Sequence, residues 1–123
     1  MTGYVCEYAQ AEALLVESLR LEETLGSPSP ANLTKRLSEL ARLTYDEGKY
    51  GDAVGYYERA VPRLERMGVQ QSDPLGYAAF LEDYVNSLKR VGRQEDATSI
   101  EARAAGIRGE QAWSAYRSAI GAG

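Results

Sequence analysis

The chain has 123 residues, 44% of them apolar and 26% charged, with one cysteine, Cys6, and no histidine. That is one ordinary domain's worth of polypeptide, and it excludes a Ser-His-Asp triad, a Cys-His dyad, a histidine metal site and an internal disulfide. The formal charge of −4 comes entirely from residues 1–26, where five glutamates face Arg20 alone, while residues 27–123 balance 13 acids with 13 bases.

No uninterrupted apolar run exceeds the five residues Tyr77–Leu81, and Ala13–Val16 is shorter still, far too short to span a bilayer. No basic start leads into an apolar stretch, so no signal peptide is read. With one unpaired cysteine, these features point to a cytoplasmic protein. An acidic chain without a basic run is not expected to bind nucleic acid or a membrane surface.

Nearly everything reads as helix, because no alternating Val/Ile/Thr stretch supports a strand. The first predicted helix covers Tyr4–Leu25, with Tyr8, Ala11, Leu14, Leu15, Leu19 and Leu25 as its apolar stripe. Gly26 ends it, and Ser29-Pro30 supplies a cap and a first-turn proline for the second, Pro30–Glu47, whose stripe is Leu33, Leu37, Leu40, Ala41 and Thr44. After Gly48 the third helix runs Tyr50–Met67 on Ala53, Tyr56, Tyr57, Ala60, Val61 and Leu64. Pro62 lies inside it, but the stripe keeps its phase through Leu64, so a kink is expected rather than a break. Gly68 closes that helix, and Asp73-Pro74 opens the fourth, Pro74–Val91, on Tyr77, Leu81, Tyr84, Val85 and Leu88. Gly92 precedes the fifth, Gln94–Arg108, on Ala97, Ile100, Ala104 and Ile107. The last segment, Glu110–Ile120, carries Trp113, Tyr116 and Ile120 on one face. Gly106 and Gly109 leave open whether it is a separate capping helix over the last hairpin or an extension of the fifth.

The breakers are spaced regularly: Gly26 to Gly68 is 42 residues and Gly48 to Gly92 is 44. A shift of 44 lays Leu37 on Leu81, Leu40 on Tyr84, Ala41 on Val85, Asp52 on Asp96, Ala53 on Ala97, Arg59 on Arg103 and Ala60 on Ala104. A shift of 42 lays Tyr8 on Tyr50, Ala11 on Ala53, Leu15 on Tyr57 and Glu23 on Glu65. A period of this size with two helices per unit signals stacked helical hairpins, with Ala41, Ala53, Ala60, Ala97 and Ala104 where helices approach closely.

Residues Leu40–Ala53, with the Gly48-Lys49-Tyr50-Gly51-Asp52-Ala53 turn, followed by Tyr57-Glu58-Arg59-Ala60, resemble a tetratricopeptide repeat (TPR). The long spacing and the Asp73-Pro74 start resemble its kinesin-light-chain-type variety. The resemblance spans about Tyr8–Arg108. It thins in the last unit, where Gln94 and Glu101 replace the aromatics at Tyr50 and Tyr57, a departure that suits an end unit meeting water. It implies an all-α, right-handed stack of antiparallel hairpins, a TPR-like α-solenoid of 5–6 helices forming a single domain over 1–123. Its parts would be an orphan leading helix (4–25), hairpins at 30–67 and 74–108, and a C-terminal capping segment (110–120).

It also implies a non-catalytic protein- or peptide-binding scaffold that needs no cofactor. The first helix of each pair would line a concave face showing Lys35, Ser38, Arg42, Tyr45 and Asp46, then Ala79, Glu82, Asn86, Lys89 and Arg90. Spacings of three and four put each set on one side of its helix. Basic groups exceed acidic ones there, which suits an acidic peptide, with Asn86 bonding its backbone and Arg42 a carboxylate. The alternative for that face is a solvated surface of mixed charge. A lysine-and-asparagine clamp for a terminal carboxylate is not expected, because Ser38 with Arg42 and Glu82 with Asn86 do not match it. Most of the nine tyrosines sit on core stripes, which leaves Tyr45 as the binding candidate. Cys6 has no basic neighbour in sequence and reads as inert, and Glu82-Asp83 reads as a solvated pair rather than an acid–base couple. The orphan helix and the Trp113–Tyr116 face suggest a second role, a self-associating module that forms a homodimer.

Overall fold

A computed structural model of the chain describes residues 3–24 and 30–121, with side chains for 9–21, 23–24 and 31–121. Its regular structure is helical: α1 (Gly3–Thr24), α2 (Pro30–Asp46), α3 (Tyr50–Arg66), α4 (Val69–Ser72), α5 (Pro74–Arg90) and α6 (Gln94–Gly121), with no strand among the described residues. Leu25, Gly26 and the Ser29 cap lie outside the described residues, as do the side chains of Cys6 and Tyr8. No helix among the described residues is long and apolar enough to cross a membrane.

The helix ends follow local chemistry. Gly48, Gly68 and Gly92 have φ of 80°, 77° and 83°, the left-handed region that a side chain resists. At Gly48 the paired bonds of a Schellman turn close the helix, with Gly48 N–H donating to the Tyr45 carbonyl (3.0 Å) and Lys49 N–H to that of Thr44 (2.8 Å). Gly92 and Arg93 repeat it onto Lys89 and Leu88 (3.2 and 2.9 Å). The Asp73 carboxylate accepts from Gly76 N–H at 3.2 Å and Pro74 takes the first helical position. A Cβ on residue 76 would collide with that carboxylate, so the glycine makes room for the cap. α3 passes through Pro62 without a break. The short α4 has no counterpart in the sequence-based reading.

Contacts divide the chain into two compact units, Met1–Leu64 and Glu65–Gly123. In the first unit α1 packs on α2. Every member of the predicted α2 stripe is buried: Leu33, Leu37, Leu40, Ala41 and Thr44. Thr44 is accommodated because its hydroxyl donates back to the Leu40 and Ala41 carbonyls (2.7 and 3.1 Å). On α3, Ala53, Val54, Tyr57, Ala60 and Val61 form the buried face. The expected α1 stripe needs a correction. Leu19 is buried and Ala11 and Leu15 half-buried, but Leu14 is 70% exposed. At 100° per residue, Ala11, Leu15 and Leu19 share an arc that Leu14 and Leu21 lie well outside.

Ion pairs fix the direction of α1. Glu12 meets Lys49 (3.1 Å) and Glu23 meets Arg59 (2.6 Å), partners 37 and 36 residues apart, so α1 and α3 run parallel. Lys49 also lies 3.4 Å from Glu47. Burial, then the neighbouring Glu12, pushes the Glu47 carboxyl above the usual carboxylate range. Burial also pulls Glu12 upward, but hydrogen bonding to Glu47 and Lys49 outweighs it and leaves Glu12 lowered.

In the second unit α5 packs against α6, and α4 against α5. Tyr77, Ala78, Leu81, Tyr84, Val85, Ser87 and Leu88 are buried on α5, facing Ala97 and Ala104 on α6 with Ile100 and Ile107 at the margin. Lys89 pairs with Glu101 (3.4 Å) and Glu82 with Arg108 (2.5 Å), so the two helices run antiparallel in register. Of the two alternatives for residues 110–120, the structure shows the extension: Gln94–Gly121 is one helix of 28 residues. Gly106 and Gly109 keep helical geometry, because a glycine in mid-helix weakens it without forbidding it.

Candidate functional site

The residues expected to bind a partner form two sets, one per unit. On α2, Lys35, Arg42 and Asp46 are exposed and Ser38 and Tyr45 half-buried, on the side of the helix away from its buried stripe. Tyr45 packs edge-on to Tyr50, with ring centroids 5.7 Å apart and planes at 80°. The Ser38 hydroxyl oxygen is enclosed and takes no hydrogen bond among the described residues. Neither Lys35 nor Arg42 makes an ion pair among the described residues. Being seven apart, they lie two turns from each other on the same side, about 10 Å along the axis.

On α5, Ala79, Asn86, Lys89 and Arg90 are exposed and Glu82 half-buried. Here the unit's own partners intervene. Arg108 grips both Glu82 oxygens (2.5 and 2.8 Å), a bidentate pair that holds the Glu82 carboxyl below the usual range through its hydrogen bonds. Lys89 reaches Glu101. A cleft of about 460 Å³ opens along this edge, lined by Glu82, Val85, Asn86, Glu101, Ala104, Ala105 and Arg108. It therefore brings together Glu82 and Asn86 from the expected set, but neither Lys89 nor Arg90 lines it. Its floor is apolar, from Val85 and Ala104, and its rim carries charges of both signs already paired.

Sequence reasoning missed Glu101 and Arg108 as neighbours of this face. The signal was present in the charge order, because Glu82 and Lys89 before the Gly92 turn are mirrored by Glu101 and Arg108 after it. An antiparallel hairpin closing at Gly92 puts opposite charges side by side.

Two ion pairs fall at positions related by the sequence shifts. Glu23 pairs with Arg59 in the first unit, and Glu65 with Arg103 in the second. Glu65 lies 42 residues after Glu23 and Arg103 lies 44 after Arg59, the shifts that align the two halves. In the second unit the pair is elaborated: the Tyr77 hydroxyl donates to Glu65 at 2.8 Å, and burial pushes that hydroxyl's pKa up to about 12.

At the far end of α6, Trp113 and Tyr116 stack on each other (5.6 Å, 26°) and the Arg117 guanidinium lies 5.3 Å from the Trp113 ring centre. Both aromatics are more than half exposed. Among the described residues no cluster of three metal-ligand side chains occurs. Comparison with known proteins finds no family model that matches the sequence and no curated protein similar to it.

Proposed function

We propose that the chain is a non-catalytic binding module of the tetratricopeptide-repeat type, built as a stack of hairpins and working in the cytoplasm on acidic peptide segments. The observation that carries this reading is the α2 face: Lys35 and Arg42 stand exposed, two turns apart, without an ion-pair partner among the described residues. Lys49, Arg59, Lys89, Arg103 and Arg108, by contrast, are each engaged by a carboxylate of their own unit. Two unengaged cations at that spacing suit carboxylates along one strand or helix of a ligand. The repeated Glu–Arg pair supports the repeat architecture on which the reading rests.

The test is retention of acidic peptides from a random peptide library by the immobilised protein, with Arg42→Glu/Arg90→Glu as the comparison. The intact chain is expected to enrich Asp- and Glu-rich sequences, and the double variant to lose that enrichment while keeping its far-ultraviolet circular dichroism. No enrichment by the intact chain, or equal enrichment by the folded variant, would sink the reading.

A further inference from the structure

We infer that the C-terminal end of α6 is a self-pairing surface, on which a second copy of this chain docks antiparallel across a two-fold axis near Trp113. The inference does not rest on the peptide-binding reading. It starts from a mismatch of lengths: α6 has 28 residues and α5, its antiparallel neighbour, has 17. The last turns of α6 accordingly outrun their support. Every residue from 112 to 121 is exposed, and Trp113, Tyr116 and Ile120 are left 54%, 55% and 63% accessible. Three turns of helix with a large apolar stripe and no neighbour are not self-sustaining in water, so the stripe calls for a covering partner.

Charge identifies the partner. Glu110 and Arg117 flank Trp113 and, being seven residues apart, lie on one line along the helix. Neither makes an ion pair among the described residues, and Arg117 lies over Trp113 instead. An acidic ligand would satisfy Arg117 and repel Glu110, and a basic one would do the reverse. A second copy laid antiparallel satisfies both at once. With the axis between Trp113 and Ser114, Glu110 of each copy falls opposite Arg117 of the other and the two indoles meet at the centre. This is an isologous contact, the same patch on both copies. The patch is small beside a standard interface, so the dimer is expected to be weak and reversible.

Trp113 is the sole tryptophan and reports directly on the contact. The experiment is a concentration series of the whole chain, followed by sedimentation and by tryptophan emission. The expected result is a rising mass accompanied by a blue shift as the indole leaves water. Glu110→Arg and Arg117→Glu each set like charges opposite one another twice, and each is expected to weaken association about tenfold or more. Mixed in equal amounts, the two variants are expected to associate with each other more tightly than either does with itself. Circular dichroism confirms that they fold. A monomer at every concentration overturns the proposal, and so does a dimer that the single substitutions leave intact. A mixture no tighter than its components overturns it as well.

Discussion

The glycines of this chain look alike in sequence but have opposite consequences. Gly92 holds φ of 83° at the end of α5, where a Cβ meets nothing but the backbone conformation itself is unfavourable to an L side chain. Gly92→Ala is therefore expected to destabilise the protein by about 1 kcal/mol. Gly106 sits in helical geometry with open space where its Cβ would be. Gly106→Ala is expected to stabilise by about 0.5–1 kcal/mol, because alanine removes the backbone entropy cost without a clash. Urea unfolding of the two variants checks the contrast, and equal shifts of the same sign would refute it. The distinction is only half legible in the sequence. Gly92 follows an apolar stripe and precedes a new one, which marks it as a terminator. Gly106 and Gly109 carry no such mark, so whether the helix stops there is decided by what α6 packs against, not by the residues themselves.

Contacts between helices separate what local patterning reveals from what it hides. The stripes of α2, α3 and α5 are visible because burial there follows a 3.6-residue period, and Ala41, Ala53, Ala60, Ala97 and Ala104 are all buried. α1 is less legible: its apolar residues spread around the helix, so its sequence does not say which of Leu14, Leu15 and Leu19 faces inward. The candidate binding face is legible as a set of exposed positions. Its pairings are not, because Arg108 and Glu101 reach Glu82 and Lys89 only through the tertiary register. The two repeat-related ion pairs allow a direct measurement. Glu23–Arg59 is about half exposed on both sides, so Glu23→Ala is expected to cost under about 1 kcal/mol. Glu65 also accepts from the buried Tyr77 hydroxyl, and Glu65→Ala strands that donor, for an expected cost of about 1–3 kcal/mol. Equal costs in thermal or urea unfolding would show that the Tyr77 bond adds nothing.

For the whole molecule, the carboxylates set how stability varies with pH, and they act in opposite directions. Hydrogen bonds from Arg108 hold the Glu82 pKa below its unfolded value, and those from Arg20 do the same for Glu17. The stability these groups contribute is present above the usual carboxylate range and is lost as pH falls through their folded values. Glu47 has the other sign. Its raised pKa means that folding favours the protonated form, so its contribution is present at low pH and is lost as pH rises through its folded value. Between the two, the chain is expected to be most stable in mildly acidic solution, a little above the range where Glu82 and Glu17 protonate. Glu47→Gln is expected to raise the melting temperature at pH 7 and to leave it nearly unchanged near pH 4. A melting temperature lowered at pH 7 would contradict this, by showing that the negative charge of Glu47 is needed by Lys49.

The uneven support along α6 also divides that helix by lifetime. Its first half is anchored through the buried Ala97 and Ala104, so its amide hydrogens are shielded until the second unit opens as a whole. From residue 112 onward nothing buried must move before the backbone unwinds, and those amides exchange through fraying of the helix end. A protease with a taste for arginine would accordingly nick first at Arg117 in dilute solution, trimming the end of one continuous helix while leaving the rest folded.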